Sequence, residues 1–272
     1  MKVSTNALVA LLATTTIVHA QEDDRGCVES SSLEPGQDLF YHKVRPQYSQ
    51  KWDVEYFETY KIVTNKQFDL TYLLYQCGTE VPAEQQDGRH AAILEIPLSD
   101  VAITVTPFIS YMEQLGLRDE ISTFLSDATY VSSPCFAEAI ATGEITSLNR
   151  GDEETAPSLQ GLTVPNESNL VTFISGYEQS YESARPPFAN TVIAVSEDEE
   201  ETNSAIFEWV KFFSVFFNKE EVANKVFGTA ESRYQCVAQN AGQLRADGGE
   251  KPKLLWGKMR LVQSFWFLGG LG

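Results

Sequence analysis

Three short stretches carry side chains whose types and order could hold a ligand. Thr106-Pro107-Phe108 follows an apolar run and opens a helix, where free backbone N–H groups attract anions. Tyr130 to Ser133 sets a phenol ahead of two hydroxyls, Ser132 and Ser133. Ser175-Gly176-Tyr177 closes another apolar run. Tyr130 and Tyr177 could stack on a flat chelate or donate a phenol hydrogen bond. The plain alternative is that all three stretches are ordinary turns. The chemistry they offer is non-covalent capture. There is no G-x-S-x-G, no H-E-x-x-H and no phosphate loop. Acidic residues are too common for one pair to stand out as a catalytic dyad, so no enzyme is expected. The histidines, His19, His42 and His90, are remote from one another, and no C-x-x-C occurs. Neither a metal nor a cofactor is expected.

For these stretches to share one surface, each must lie at the carboxyl end of a strand in an open α/β sheet. The chain supplies such strands. AAILEIP at 91–97 and VAITV at 101–105 are apolar. A helix follows from Phe108 to Leu115, with Pro107 in its first turn and Gly116 past its end. A short helix or turn at 119–126, a strand at 129–131 and a helix from Phe136 to Thr142, closed by Gly143, come next. Leu170 to Ser175 and Thr191 to Val195 are apolar strands, and a helix runs from Ser204 to Phe217. Strands alternating with helices imply βαβ units and a mainly parallel sheet. The fold expected is α/β: a Rossmann-like lobe at 91–217, with a β-rich extension before it at 21–90. In that extension aromatic strands lie between 52 and 77, turning at Asn65-Lys66.

One long helix organises the end of the chain, at 218–242. Asn218 and Glu221 form a capping box, and Gly242 supplies the stop. Ala223, Val226, Phe227, Ala230, Tyr234, Val237, Ala238 and Ala241 make its apolar face. Residues 243–272 are expected to be the start of an incomplete second lobe or an aberrant tail, with a strand at 253–256. Trp209 with Phe212, Phe213, Phe216 and Phe217 is a dense aromatic cluster; core packing is the expectation, a ligand wall the alternative.

The first twenty residues read as a cleaved signal peptide: Lys2, an apolar run from Ala7 to Val18, and Val18-His19-Ala20 as the cleavage site. The protein is therefore expected to be secreted or at the cell surface. The formal charge is −18, which argues against nucleic acid and anionic membrane as partners. Cys27, Cys77, Cys135 and Cys236 suggest two disulfides. Of three pairings, Cys27–Cys77 with Cys135–Cys236 is favoured. The first would staple the extension, and the second would tie the lobe to the long helix. Asn166-Glu167-Ser168 is a sequon, making Asn166 a candidate glycosylation site.

Ile96-Pro97-Leu98, VAITVTPFISYMEQLGL, the turn from Tyr130 to Pro134 and the helix ending at Gly143 together resemble the first lobe of a class III periplasmic binding protein, the iron–siderophore and cobalamin type. Residues 205–227 resemble the segment leading into that family's interlobe helix. Arg233-Tyr234 and Lys251 to Trp256 resemble its end and the strand after it. YKIVTN and YLLYQCGT in the extension look more like secreted eukaryotic versions found in microalgae. The resemblance covers roughly 91–256. It implies two α/β lobes joined by a long helix, with ligand held between them: a ferric chelate, haem or a corrinoid. It also implies delivery to a membrane importer or surface receptor, onto whose basic residues surface acids such as Glu197 to Glu201 would dock. Only about thirty residues follow Gly242 where a lobe needs on the order of 100. A gene product shortened to its first lobe plus linker helix is expected. A secreted interaction protein that keeps the lobe without transport is the alternative.

Overall fold

A computed structural model describes residues 26–29, 31, 33–147, 170–176 and 191–246. The expected leader at 1–20, the Asn166 sequon, Tyr177 and the expected strand at 253–256 lie outside these residues. The chain divides after Phe227 into two compact units.

The first sheet holds β1 (Trp52–Tyr56), β2 (Tyr60–Asn65), β3 (Leu70–Gln76) and β4 (Ala92–Ile96), in that spatial order. β1, β2 and β3 form an antiparallel meander, with Val54 opposite Val63 and Val63 opposite Tyr72. β4 returns parallel to β3. The 91–97 strand thus completes the sheet of the extension. Cis-Pro97 ends it.

The second sheet is wholly parallel, with spatial order β7-β6-β5-β8-β9. Its members are β5 (Val101–Ile103), β6 (Ile121–Phe124), β7 (Thr146–Ser147), β8 (Val171–Ser175) and β9 (Thr191–Val195). The helices are α1 (Thr106–Gln114), α2 (Pro134–Thr142), α3 (Asn203–Ser214) and α4 (Glu220–Ala246). The expected α/β architecture is present: a parallel sheet, a β-rich sheet before it, and a long helix late in the chain. β8 shows all five residues buried, as a strand covered on both faces should.

Local assignments differ in several places; the helix expected to reach Phe217 ends at Ser214, and the short strand β7 is unexpected. Residues 119–126 are a 3-10 turn at Arg118–Glu120 followed by strand β6, because Ile121, Thr123 and Phe124 pair with β5 and are buried there. Thr129 is no strand but part of a 3-10 turn, since Asp127 accepts its N–H at 2.8 Å and Tyr130 is solvent-exposed. Asn218 does not cap the long helix. It takes a left-handed φ of 54° and turns its side chain into a polar network described below. Gly242 does not stop the helix, which runs on through Leu244 to Ala246.

The core forms where the aromatic cluster of α3 meets both sheets. Trp209, Phe212, Phe213 and Phe216 are fully buried and Phe217 nearly so. Phe173 of β8 lies 5.1 Å from Phe213 and 5.3 Å from Phe216. Trp52 of β1 packs edge-on against Phe212 at 5.9 Å. These rings are structural; of them Phe217 also borders a hollow described below. The first sheet also closes the open edge of the second. β9 is an edge strand, and the outward backbone of Ala194 finds side-chain partners: its N–H donates to the Tyr72 hydroxyl at 3.0 Å, and its carbonyl accepts from the Asn65 amide at 2.8 Å. Covering an edge in this way removes a template for unwanted strand pairing.

Cys27 and Cys77 form a disulfide. Cys135 and Cys236 do not: both are free and exposed. Cys135 is the second residue of α2 and points outward, while Cys236 lies on the exposed length of α4.

Candidate functional site

β5 is three apolar, buried residues, Val101, Ala102 and Ile103, and the chain leaves it through buried Thr104. Thr106 then opens α1 with Pro107 in the first turn. Val105 at the N-cap is extended and offers no side-chain oxygen, so no side chain caps this helix; Pro107 carries no N–H, and the Phe108 N–H donates to the Val105 carbonyl at 3.3 Å. β8 ends at Ser175, whose N–H donates to the Thr104 hydroxyl at 3.4 Å. That bond joins the two central strands across the point where the spatial order of the sheet reverses, which is where open α/β sheets hold ligands.

The predicted site residues divide by environment. Thr106 is half-buried and Pro107 exposed at this edge. Tyr130 is 64% exposed beyond the end of β6, and Ser132 is exposed beside it. Ser133 caps α2, its hydroxyl accepting the Phe136 N–H at 3.3 Å and donating to Glu113. Phe108 is fully buried, 5.2 Å from the Phe213 ring, and belongs to the core. Gly176 packs closely: a Cβ there would lie 2.6 Å from the tip of the Phe68 ring, from the β2–β3 turn, and the ring would have to shift.

The end of β9 brings carboxylates to the same edge of the sheet. Glu197 is only 4% exposed, and its Oε2 has no hydrogen-bond partner among the described residues. Burial pushes its carboxyl up to about 7, with the neighbouring Asp198 charge adding to the shift and local backbone N–H groups opposing it. Asp198 is raised by the same burial. Tyr111 on α1 is raised by burial and then by the charges of Glu197 and Glu200, while its hydroxyl donates to the Ile206 carbonyl at 2.8 Å. Below about pH 7 Glu197 is a neutral group able to donate one hydrogen bond; above it, a buried anion.

A hollow of about 1180 Å³ lies at the opposite end of the parallel sheet, against the first residues of β8 and β9. Leu39 to His42, Ile93 to Glu95, Leu98, Leu117 and Glu120 contribute to its walls. Beside it sits a polar network. The Lys61 ammonium, wholly buried, donates to the Val215 carbonyl at 3.0 Å, to Asn218 Oδ1 at 2.8 Å and to Glu220. The Asn218 amide donates to Gln76 Oε1 at 2.8 Å, and the Gln76 amide donates to the Gly26 carbonyl. Burial lowers the Lys61 pKa from its ordinary value, and Glu220 partly restores it. This is a satisfied network that fixes the start of α4 against β2.

A second buried cluster holds the segment before β1. Glu208 accepts the N–H groups of Gln47, Tyr48 and Ser49 at 2.8, 2.7 and 2.9 Å, and Lys211 donates to it at 2.8 Å. Sequence reasoning missed both clusters. A signal existed for the second: Glu208 and Lys211 stand inside the run FEWVKFF, where a charge on either face must be buried.

Among the described residues no group of three His, Cys, Asp or Glu side chains could hold a metal ion, and no helix is long and apolar enough to cross a membrane. A scan against protein-family models and a search of curated proteins both return no match.

Proposed function

We propose that this chain is a secreted solute-binding protein that captures its ligand non-covalently at the carboxyl edge of the parallel sheet. One observation carries the reading: the uncapped start of α1 lies beside the Thr104–Ser175 bond, where strand order reverses between β5 and β8. The positive end of the α1 dipole suits an anionic group of the ligand. Tyr130, exposed at the same edge, suits a flat apolar face. The resemblance to iron-chelate binding proteins makes a ferric siderophore, haem or a corrinoid the ligand class, and a membrane importer or surface receptor the recipient. No covalent step is assigned to any residue. Bound at this edge alone, a ligand is covered on one side, and residues 21–272 should hold it at high micromolar affinity at best.

Calorimetry of residues 21–272 with a ferric hydroxamate and with haem tests this. Binding that Tyr130→Ala weakens, and that Ile93→Trp in the opposite hollow leaves alone, supports the edge site. Binding lost with Ile93→Trp would move the site to the hollow. No binding of any chelate or corrinoid at millimolar ligand would remove the reading. The second reading, a secreted interaction protein, is favoured by Tyr234, Val237 and Leu244, which stand exposed on α4.

A further inference from the structure

The apolar stripe of α4 continues after the core that it first packs into. Ala223 and Phe227 are buried. The same alternation of four and three residues then runs through Ala230, Tyr234, Val237, Ala241 and Leu244. Tyr234 is 53% exposed, Val237 67% and Leu244 68%. A strict four–three alternation is the seam of a two-helix coiled coil, narrower than the stripe a helix lays on a globular core.

The residues beside the seam select an orientation. With Val237 and Leu244 at d, Tyr234 and Ala241 fall at a, Glu231, Ala238 and Arg245 at e, and Arg233 and Asn240 at g. In a parallel pair each g position faces the e position five residues further along the other helix. Arg233 would then meet Ala238 and Asn240 would meet Arg245, with no charge complement. Like would meet like in the seam, so that two tyrosines crowd one layer and two alanines leave another thin. In an antiparallel pair e faces e. Glu231 then meets Arg245 of the second copy, and Arg245 meets its Glu231, two opposite-charge pairs by symmetry. Tyr234 packs on Leu244 of the second copy and Val237 on its Ala241, and Asn240 faces Asn240. We propose that α4 is a self-association element, pairing antiparallel with α4 of a second copy through this seam. A closed two-fold contact of this kind uses the same patch twice.

The contact is short. The layers from Tyr234 to Leu244 span roughly 15 Å at 1.5 Å per residue, so the contact falls at the small end of protein interfaces and the dimer is weak and reversible. Sedimentation equilibrium of residues 21–272 from about 10 μM to about 500 μM should show the mass rising toward a dimer. Glu231→Arg alone should weaken association about tenfold by setting like charges opposite. Adding Arg245→Glu should restore it. Val237→Glu should leave a monomer with unchanged helical circular dichroism; if that variant unfolds, the charge-swap pair alone decides. In a chain with Cys135→Ser and Cys236→Ser, Asn240→Cys should cross-link in air. A monomer at every concentration overturns the proposal, as does failure of the double charge swap to restore the dimer. So does a Val237→Glu variant that melts earlier with no change in mass, which would mean that the chain's own residues cover the seam.

Discussion

Glu208 and Glu197 are both buried carboxylates, and their surroundings give them opposite consequences. Glu208 has three backbone N–H donors and the Lys211 ammonium around it. Glu208→Ala orphans those N–H groups and strips Lys211 of its carboxylate, and should cost about 3–5 kcal/mol, read as a lower urea midpoint. Glu197 has an unpartnered Oε2, and burial raises its pKa from 4.5 to about 7. A carboxyl raised in the folded state binds its proton more tightly there than in the unfolded chain. Its penalty is therefore absent below pH 4.5, grows as pH rises, and is complete above about 7. Glu197→Gln should stabilise the protein by about 2–3 kcal/mol at pH 8 and by nothing near pH 4. Melting temperatures of both proteins at the two pH values check the sign; equal gains at both would show that folding does not shift the pKa of this carboxyl.

At the scale of the element, α4 shows how a local signal is overruled. Glycine favours helix ends because it loses most on being ordered. Gly242 nonetheless sits inside the helix, four residues before its last residue, Ala246. A Cβ at Gly242 would meet nothing within 4 Å. Gly242→Ala should therefore strengthen the last turns of α4 by about 0.5–1 kcal/mol, visible as slower amide exchange around Gln243 and Leu244. A real C-cap would give the reverse. Asn218 shows the same effect at the other end. Its sequence context reads as a cap, but a positive φ and bonds to Lys61 and Gln76 place its side chain across from β2 and β3. The left-handed Gly143 that closes α2, by contrast, follows directly from the sequence, because that end is set by neighbours within a few residues; the Ser133 cap does not, since the sequence shows it only as a turn hydroxyl.

For the whole molecule, the cysteines give the simplest check. One disulfide, Cys27–Cys77, and two exposed thiols, Cys135 and Cys236, should leave two groups that react with Ellman's reagent in the native state. No reactive thiol would restore the second bridge. The amino-acid sequence by itself determined what depends on short range. It set the apolar strands that make a parallel sheet, the aromatic run that becomes the core, the proline that opens α1 and the polarity of its surface. Hydrophobic periodicity and turn chemistry act over a few residues, so they are readable one stretch at a time. Only the tertiary structure decided that β4 joins the first sheet, that Tyr72 and Asn65 close the edge of β9, and that Lys61 meets Glu220 and Glu208 meets residues 47–49. Those partners stand more than a hundred residues apart for all but β4, and no local pattern names them. They are fixed by which buried polar groups would otherwise go unsatisfied once the two sheets pack on α3.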